Sequence, residues 1–146
     1  MRGQSLQASA ERVCPVCILK QSCAAGLASA IRSIGCWRMC EVTKVIAKEL
    51  TDVPGKEVLI LTVEYAPGAA DSPHRHNADA FVYVLEGSVV EQVKGGKPVT
   101  LTAGQTFYES PDDIHVVGKN ASSTQPAKLL AVLVKEKGAP PVVPVK

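Results

Sequence analysis

From Val42 onward, short apolar runs alternate with turn residues. The run "EVLILTVEYAPG" is long and ends at Pro67 and Gly68, whereas "VTKVIAKEL" alternates more loosely. Alternation of apolar and polar residues over such lengths is typical of β-strands, and proline and glycine end them. The pattern therefore predicts strands rather than helices across residues 42–146.

The later runs extend the same pattern. These runs are "FVYVLEG", "SVVEQVKGGKPVTLT", "GQTFYES", "HVVGK" and "KLLAVLVKEKG". With them the chain has at least seven predicted strands, and none of the runs has the pattern of an amphipathic helix. Gly95 and Gly96 stand where a tight hairpin needs positive φ. The final "APPVVPVK" contains three prolines, so we expect it at a sheet edge rather than inside a sheet. Strands at this spacing predict an all-β sandwich or barrel.

Composition narrows the possible functions. The chain has 146 residues, of which 46% are hydrophobic and 21% charged, as expected for one globular domain with an ordinary core. The net charge of +2 is too small to indicate nucleic-acid binding, and residues 41–146 are about neutral. No apolar run approaches the roughly 18 residues that would span a bilayer. We therefore expect neither a nucleic-acid partner nor a membrane span.

The first 41 residues differ in composition from the rest. All five cysteines lie there, together with a stretch of small residues, "CAAGLASA". We divide the chain into a Cys-rich leader, residues 1–41, and a β-domain, residues 42–146. The cysteines of the leader are Cys14, Cys17, Cys23, Cys36 and Cys40.

Three interpretations of the leader stay open. "CPVC" and "CWRMC" can form a four-thiolate zinc site, because two chelating pairs complete a tetrahedron. Alternatively, Ala28 to Ala30 provide an AxA-like cleavage site of an export signal, although Lys20 interrupts its apolar part. The third interpretation is a disordered or weakly helical leader, or an upstream extension of a domain that starts at Met39. A cytoplasmic location is the default, and an export signal would make it periplasmic or secreted.

The chain has three histidines. Residues i and i+2 of a strand point the same way, so His74 and His76 present two imidazoles to one space. Imidazole binds Fe, Mn, Cu, Ni and Zn, and such a site needs a third donor from another strand. His115 is the only histidine left to supply it. The alternative is that all three are polar rim residues of an apolar barrel without metal.

These residues carry a resemblance to the cupins. Gly68, His74, His76 and Gly87 stand at the intervals of the first cupin motif, and the chain resembles a small single-domain cupin over roughly residues 57–135. The resemblance implies a double-stranded β-helix, or jelly-roll, barrel with a metal ion bound by His74, His76 and His115. It also implies a homodimer formed through sheet edges and exchanged terminal strands, such as "PVVPVK".

The second cupin motif is matched less closely. Gly104 and His115 keep its interval, but Pro111 falls one place late. Asp113 stands near the expected glycine, and Asn120 lies one place beyond the expected asparagine.

The first motif lacks its usual carboxylate. Ala80 occupies the position of the glutamate that many cupins add to the three histidines. Three neutral imidazoles leave a divalent ion with its full charge and about three open positions. If Ala80 faces inward, Asp79 points away, and Val82 and Val84 make the pocket wall apolar. By the same parity, the outward residues are Phe81, Tyr83 and Leu85.

The strand before His115 offers two weak catalytic candidates. Tyr108 and Glu109 lie on it, and one of them can face the metal as an acid, a base or a substrate partner. Parity alone does not tell which, and packing or surface exposure is the alternative role for each. We see no Ser/His/Asp set and no carboxylate pair, so we expect the metal to carry the chemistry.

Two functions follow from this resemblance. The first is a mononuclear Fe(II)-type dioxygenase acting on a small chelating substrate, since thiol and diketone-cleaving dioxygenases of this kind use iron held by three histidines. Mn, Ni, Zn or Cu are alternatives to iron. The second is a non-catalytic cupin that binds a small ligand or a metal, because the same fold serves many functions. A metal-independent sugar isomerase is disfavoured because all three histidines are kept.

Overall fold

A computed structural model describes residues 40–145 of the chain, and this part is an all-β structure. None of the described residues forms a helix long and apolar enough to cross a membrane. The first four cysteines of the predicted leader lie outside the described residues, and Cys40 begins the first strand. The ten strands are β1 (Cys40–Glu49), β2 (Lys56–Tyr65), β3 (His74–Arg75), β4 (Ala78–Glu86), β5 (Ser88–Val93), β6 (Val99–Thr102), β7 (Thr106–Glu109), β8 (His115–Asn120), β9 (Ala127–Glu136) and β10 (Val143–Pro144).

The strands form two five-stranded antiparallel sheets. The order in the first sheet is β1-β2-β9-β4-β7, and in the second it is β10-β3-β8-β5-β6. Neighbours in space are mostly distant in sequence, because the chain crosses repeatedly from one sheet to the other. This is the jelly-roll arrangement, and the predicted fold class is confirmed.

Strand β4 has the predicted alternation. Ala80 and Val84 are buried, whereas Phe81 and Tyr83 are exposed on the outer face. Every second side chain therefore faces the space between the sheets, as expected for a strand whose other face is exposed to solvent. Ala80 faces inward, which is the condition under which Val82 and Val84 were expected to line the cavity, and both are buried.

The turns and edges also agree with the sequence pattern. Gly95, between β5 and β6, has a φ of 84°, which suits the hairpin predicted there, whereas Gly96 does not have the positive φ that was expected. Strand β10 lies at the edge of the second sheet, where it pairs only with β3. Its proline is tolerated because an edge strand has one side without ladder hydrogen bonds.

Apolar side chains fill much of the space between the sheets. One cluster centres on Val84, Val89 and Leu101, and a second on Leu59 and Leu133. Residues of both clusters border a cavity of about 380 Å³ that lies between the sheets. Burial of these side chains stabilises the sandwich, and the cavity contains the polar groups described next.

Candidate metal centre

The structure brings the three histidines together at the cavity. His74 begins β3, His76 follows directly after that strand, and His115 begins β8. His74 and His115 are cross-strand partners, and their ring centroids are 4.9 Å apart. The rings of His74 and His76 are also 4.9 Å apart, with their planes almost perpendicular. The predicted convergence of the three imidazoles is therefore present.

Backbone carbonyls hold two of the rings in one tautomer. Nδ1 of His74 donates a hydrogen bond to the carbonyl of Ser72 at 2.8 Å, and Nδ1 of His76 donates to that of Pro141 at 2.7 Å. A carbonyl oxygen can only accept, so the proton of each neutral ring lies on Nδ1. Nε2 of both rings then keeps the lone pair that a metal ion requires.

Burial keeps these two rings neutral. It lowers the pKa of His74, and it lowers the pKa of His76 to about 4. Desolvation disfavours the charged imidazolium, while the neutral ring is the form that binds metal ions. Both rings are therefore in the state that metal binding needs.

His115 lies between two buried carboxylates. Its Nε2 is 2.5 Å from Oε2 of Glu91, and its Nδ1 is 3.7 Å from Oε1 of Glu109. Burial lowers the pKa of His115, but Glu91 and then Glu109 more than offset this and raise it to about 9. A metal ion must therefore displace a proton from His115, so binding is coupled to pH.

The two glutamates correct an expectation from the sequence. We expected no carboxylate pair, yet Glu91 is 1% exposed and Glu109 is 2% exposed, and each places an oxygen within 4.8 Å of His115 and of the other. Burial raises the pKa of Glu91, and it raises that of Glu109 to about 7. The sequence did not predict Glu91 as a site residue, because a charged residue in a strand is usually assigned to the solvent-exposed face. Its parity with buried Val89 was the available signal.

The structure shows which way the two catalytic candidates of β7, Tyr108 and Glu109, point. Tyr108 is 49% exposed on the outer face, and its hydroxyl donates a 2.6 Å hydrogen bond to Oδ1 of Asp79. That hydrogen bond raises the pKa of Tyr108. Glu109 points the opposite way, into the cavity. Of the weak catalytic candidates only Glu109 faces the histidines, and Asp79 points away from them as expected.

A glycine allows the ring of His115 to lie where it does. A Cβ atom built on Gly118 would stand 2.7 Å from Cε1 and 3.1 Å from Nε2 of His115. Real Cβ atoms do not approach a ring carbon so closely, so any larger residue would move the ring. Gly118 thus helps to define the position of the third histidine.

A second polar pair lies on the cavity wall and was not foreseen from the sequence. The hydroxyl of Tyr65 donates a hydrogen bond to Oδ2 of Asp71, and both residues line the cavity. Burial, followed by the negative charges of Asp71 and Glu91, raises the pKa of Tyr65 well above its usual value. Tyr65 therefore keeps its proton, which it donates to Asp71, and its hydroxyl oxygen can accept a further hydrogen bond.

The donor set fits a metal ion. Oε2 of Glu109 and Nδ1 of His115 are buried without a hydrogen-bond partner, and the close contact between Nε2 of His115 and Oε2 of Glu91 lacks ideal hydrogen-bond geometry. Buried polar atoms almost always have partners, so such a cluster needs an explanation. His74, His76 and His115 each offer an atom within 4.8 Å of the others, a group that can hold a transition-metal ion.

The sequence matches the family described as Cupin domain over residues 61–133, which is half of the chain. The protein therefore belongs to the cupin family. A search among curated proteins found no significant match.

Solved structures share the fold. The polyketide cyclase RemF from Streptomyces resistomycificus is 22% identical, with a TM-score of 0.57 over 75% of this chain and 72% of that chain. A cupin-like protein from Thermotoga maritima is 18% identical, with a TM-score of 0.57 over 73% and 75%. An oxalate oxidase in complex with the substrate analogue glycolate is 22% identical, with a TM-score of 0.54 over 73% and 55%.

These relatives differ in chemistry. The chain spans only 55% of the oxalate oxidase. At such identities the likeness shows the fold alone, and function depends on the site itself.

Proposed function

We propose that this protein is a mononuclear metal-dependent oxidoreductase of the dioxygenase type. In this proposal His74, His76 and His115 hold a divalent transition-metal ion, with Fe(II) favoured. The observation that carries it is the convergence of the three rings, with His74 and His115 buried and His76 half-buried; the hydrogen bonds of His74 and His76 to backbone carbonyls use Nδ1 and leave Nε2 for the ion. Mn, Ni, Zn or Cu are alternative ions, because imidazole binds all of them.

The bound ion would polarise the oxygen or sulfur atoms of a chelating substrate and, as iron, would supply a redox partner for O2. The chain supplies the surroundings. Leu59, Val82 and Leu133 give the cavity apolar walls that limit water. The O–H of Tyr65 is donated to Asp71, so its hydroxyl oxygen offers an acceptor for a polar substrate group.

The cavity suits a small substrate. Its volume of about 380 Å³ falls within the range of small-molecule sites, which are mostly apolar with a few convergent polar groups. An oxygen pair or a thiolate on such a molecule can reach the histidine cluster while the apolar part of the molecule contacts Leu59 and Leu133. The substrate class that we propose is therefore a small chelating molecule with an apolar body.

A binding protein without turnover is the second candidate. It is favoured by the contact between His115 and Glu91, which occupies one of the three rings and raises its pKa to about 9. A metal ion has to compete with that contact, so the cavity can also serve a small ligand without a permanently bound ion.

Two measurements separate these functions. Elemental analysis of protein purified without added metal tests the site, and O2 consumption by the Fe(II)-loaded protein with diketones, flavonols and thiols tests the enzyme. Metal-dependent O2 uptake that is lost in His76→Ala would support the dioxygenase. Full metal occupancy without O2 uptake on any substrate of that panel would favour the binding protein, and failure to bind metal would reject the metal-dependent enzyme.

A homodimer stays a prediction. The sequence predicted pairing through sheet edges and exchanged terminal strands; a second candidate interface is the apolar outer face of β4 and β7, where Phe81, Tyr83 and Tyr108 are 49%, 44% and 49% exposed. Aromatic groups clustered in this way favour association. Sedimentation analysis should give twice the chain mass, and Phe81→Lys should shift it to the mass of one chain. A wild-type protein that sediments as a monomer would contradict the prediction.

A further inference from the structure

Glu109 reaches the histidine cluster from the opposite sheet. It lies on β7 in the first sheet, whereas His74 and His115 belong to the second sheet. Its carboxylate touches two of the three rings. Oε2 is 3.8 Å from Nε2 of His76, and Oε1 is 3.7 Å from Nδ1 of His115.

These two separations suit atoms that share one ion. The three histidines form one candidate group and Glu91, Glu109 and His115 form another, with His115 common to both. Donor atoms bound at about 2.1 Å from the same metal lie about 3 to 4 Å from one another. Oε2 of Glu109 has no hydrogen-bond partner, although the residue is only 2% exposed. A buried carboxylate oxygen without a partner, aimed at a histidine nitrogen that carries a lone pair, is a ligand position.

Glu91 is placed differently. Its close contact is with His115 alone, at 2.5 Å from Nε2. A carboxylate so near one ring nitrogen orients the ring. Glu109, which touches two rings, is the better fourth donor.

The sheet register connects Glu109 to the missing carboxylate. Glu109 of β7 is the direct cross-strand partner of Ala80 of β4. Cross-strand partners have Cβ atoms about 5 Å apart on the same face of the sheet. A carboxylate on either residue therefore enters the same part of the cavity.

We propose that Glu109 is the fourth protein ligand of the metal centre, and that it supplies from β7 the carboxylate that Ala80 does not supply from β4. This proposal rests on the metal site described above. It makes the centre a three-histidine, one-carboxylate site with a lower net charge and fewer open positions than three histidines alone would give.

The test measures metal affinity directly, by competition with a chromophoric chelator for Co(II) and Fe(II). Glu109→Ala should weaken binding at least about tenfold and alter the visible spectrum of the Co(II) form, because the number of donors changes. The exchanged variant Ala80→Glu/Glu109→Ala keeps the total side-chain volume and should restore most of the affinity. Asp79→Asn removes a carboxylate that faces outward and should bind as the wild type does.

Thermal unfolding of the metal-free variants checks that each one folds. Wild-type affinity and an unchanged Co(II) spectrum in Glu109→Ala would overturn the proposal, as would a loss that the exchanged variant does not reverse. Loss of binding in His74→Ala alongside full binding in Glu109→Ala would leave the three-histidine site intact without the fourth ligand. Wild-type protein that binds no metal would overturn both.

Discussion

His74 and His115 face each other as cross-strand partners on β3 and β8. Antiparallel pairing places their imidazoles side by side, although they belong to different motifs of the sequence. Because β3 contains only two residues, the position of His74 depends on its pairing with β8 on one side and with β10 on the other. The relative position of His74 and His115 is therefore a property of the second sheet, and changes to that sheet should alter it.

Gly118→Ala should weaken metal binding without unfolding the protein. The new methyl group would stand 2.7 Å from Cε1 of His115, so the ring has to leave its present position. We expect a loss of at least about tenfold in Co(II) affinity, measured by chelator competition. Gly96→Ala is the control, because Gly96 lies in the hairpin after β5 and its nearest contact is Val93. Equal affinity in the two variants would contradict the role given to Gly118.

The C-terminal segment should support His76. The carbonyl of Pro141 accepts the Nδ1 hydrogen bond of His76, so a chain that ends after Gly138 leaves this ring free to turn and to change tautomer. We expect such a chain to bind metal at least about tenfold more weakly. A chain that ends after Val142 keeps the carbonyl of Pro141 and should lose less metal affinity. Calorimetric titration with Co(II) compares the two, and identical affinities would show that the carbonyl does not matter.

The pair formed by Glu57 and Lys135 should make stability depend on pH. The hydrogen bond from Lys135 lowers the pKa of Glu57 below its ordinary 4.5. The ionised carboxylate therefore stabilises the folded state above pH 4.5, and this contribution is lost as the pH falls through the lowered pKa. Urea unfolding should show that Glu57→Gln is less stable than the wild type above that pH. The difference should narrow below it, and a difference that stays constant or grows would contradict this account.

The same pair connects stability to the site. Nζ of Lys135 also donates to the carbonyl of Ala139 at 2.6 Å, and Oε1 of Glu57 accepts from the amide of Gly138 at 3.2 Å. Both contacts hold the turn that leads to Pro141. Glu57→Gln should therefore also reduce Co(II) affinity, by less than the truncation after Gly138, in the same titration. An affinity loss larger than that of the truncation would require another cause.

Much of the fold was predictable because β-strand parity is local information. Alternation alone places Ala80, Val82 and Val84 on one face of the strand, and the spacing of His74 and His76 places both rings near one space. The edge position of β10 follows from its prolines. These features depend on neighbours within a few residues, which the sequence displays directly.

The rest of the site depends on contacts between distant residues. The pairing of Ala80 with Glu109 decides which face Glu109 takes, and no local pattern specifies that register. The hydrogen bond between His76 and Pro141 joins residues on two loops that only the folded second sheet brings together. Glu91 lies on the inward face of β5, although charged residues usually lie on the outward face. Functional sites often depart in this way from the pattern that folds the rest of a chain.

The central claim is that His74, His76 and His115 bind one metal ion together. A crystal structure of the Co(II)- or Fe(II)-loaded protein, with diffraction data collected at the absorption edge of the metal, tests it directly. Shared binding predicts one anomalous peak at about 2.1 Å from Nε2 of His74, from Nε2 of His76 and from a ring nitrogen of His115. A peak outside the cavity, or no peak in crystals of folded protein soaked with the metal, would contradict it.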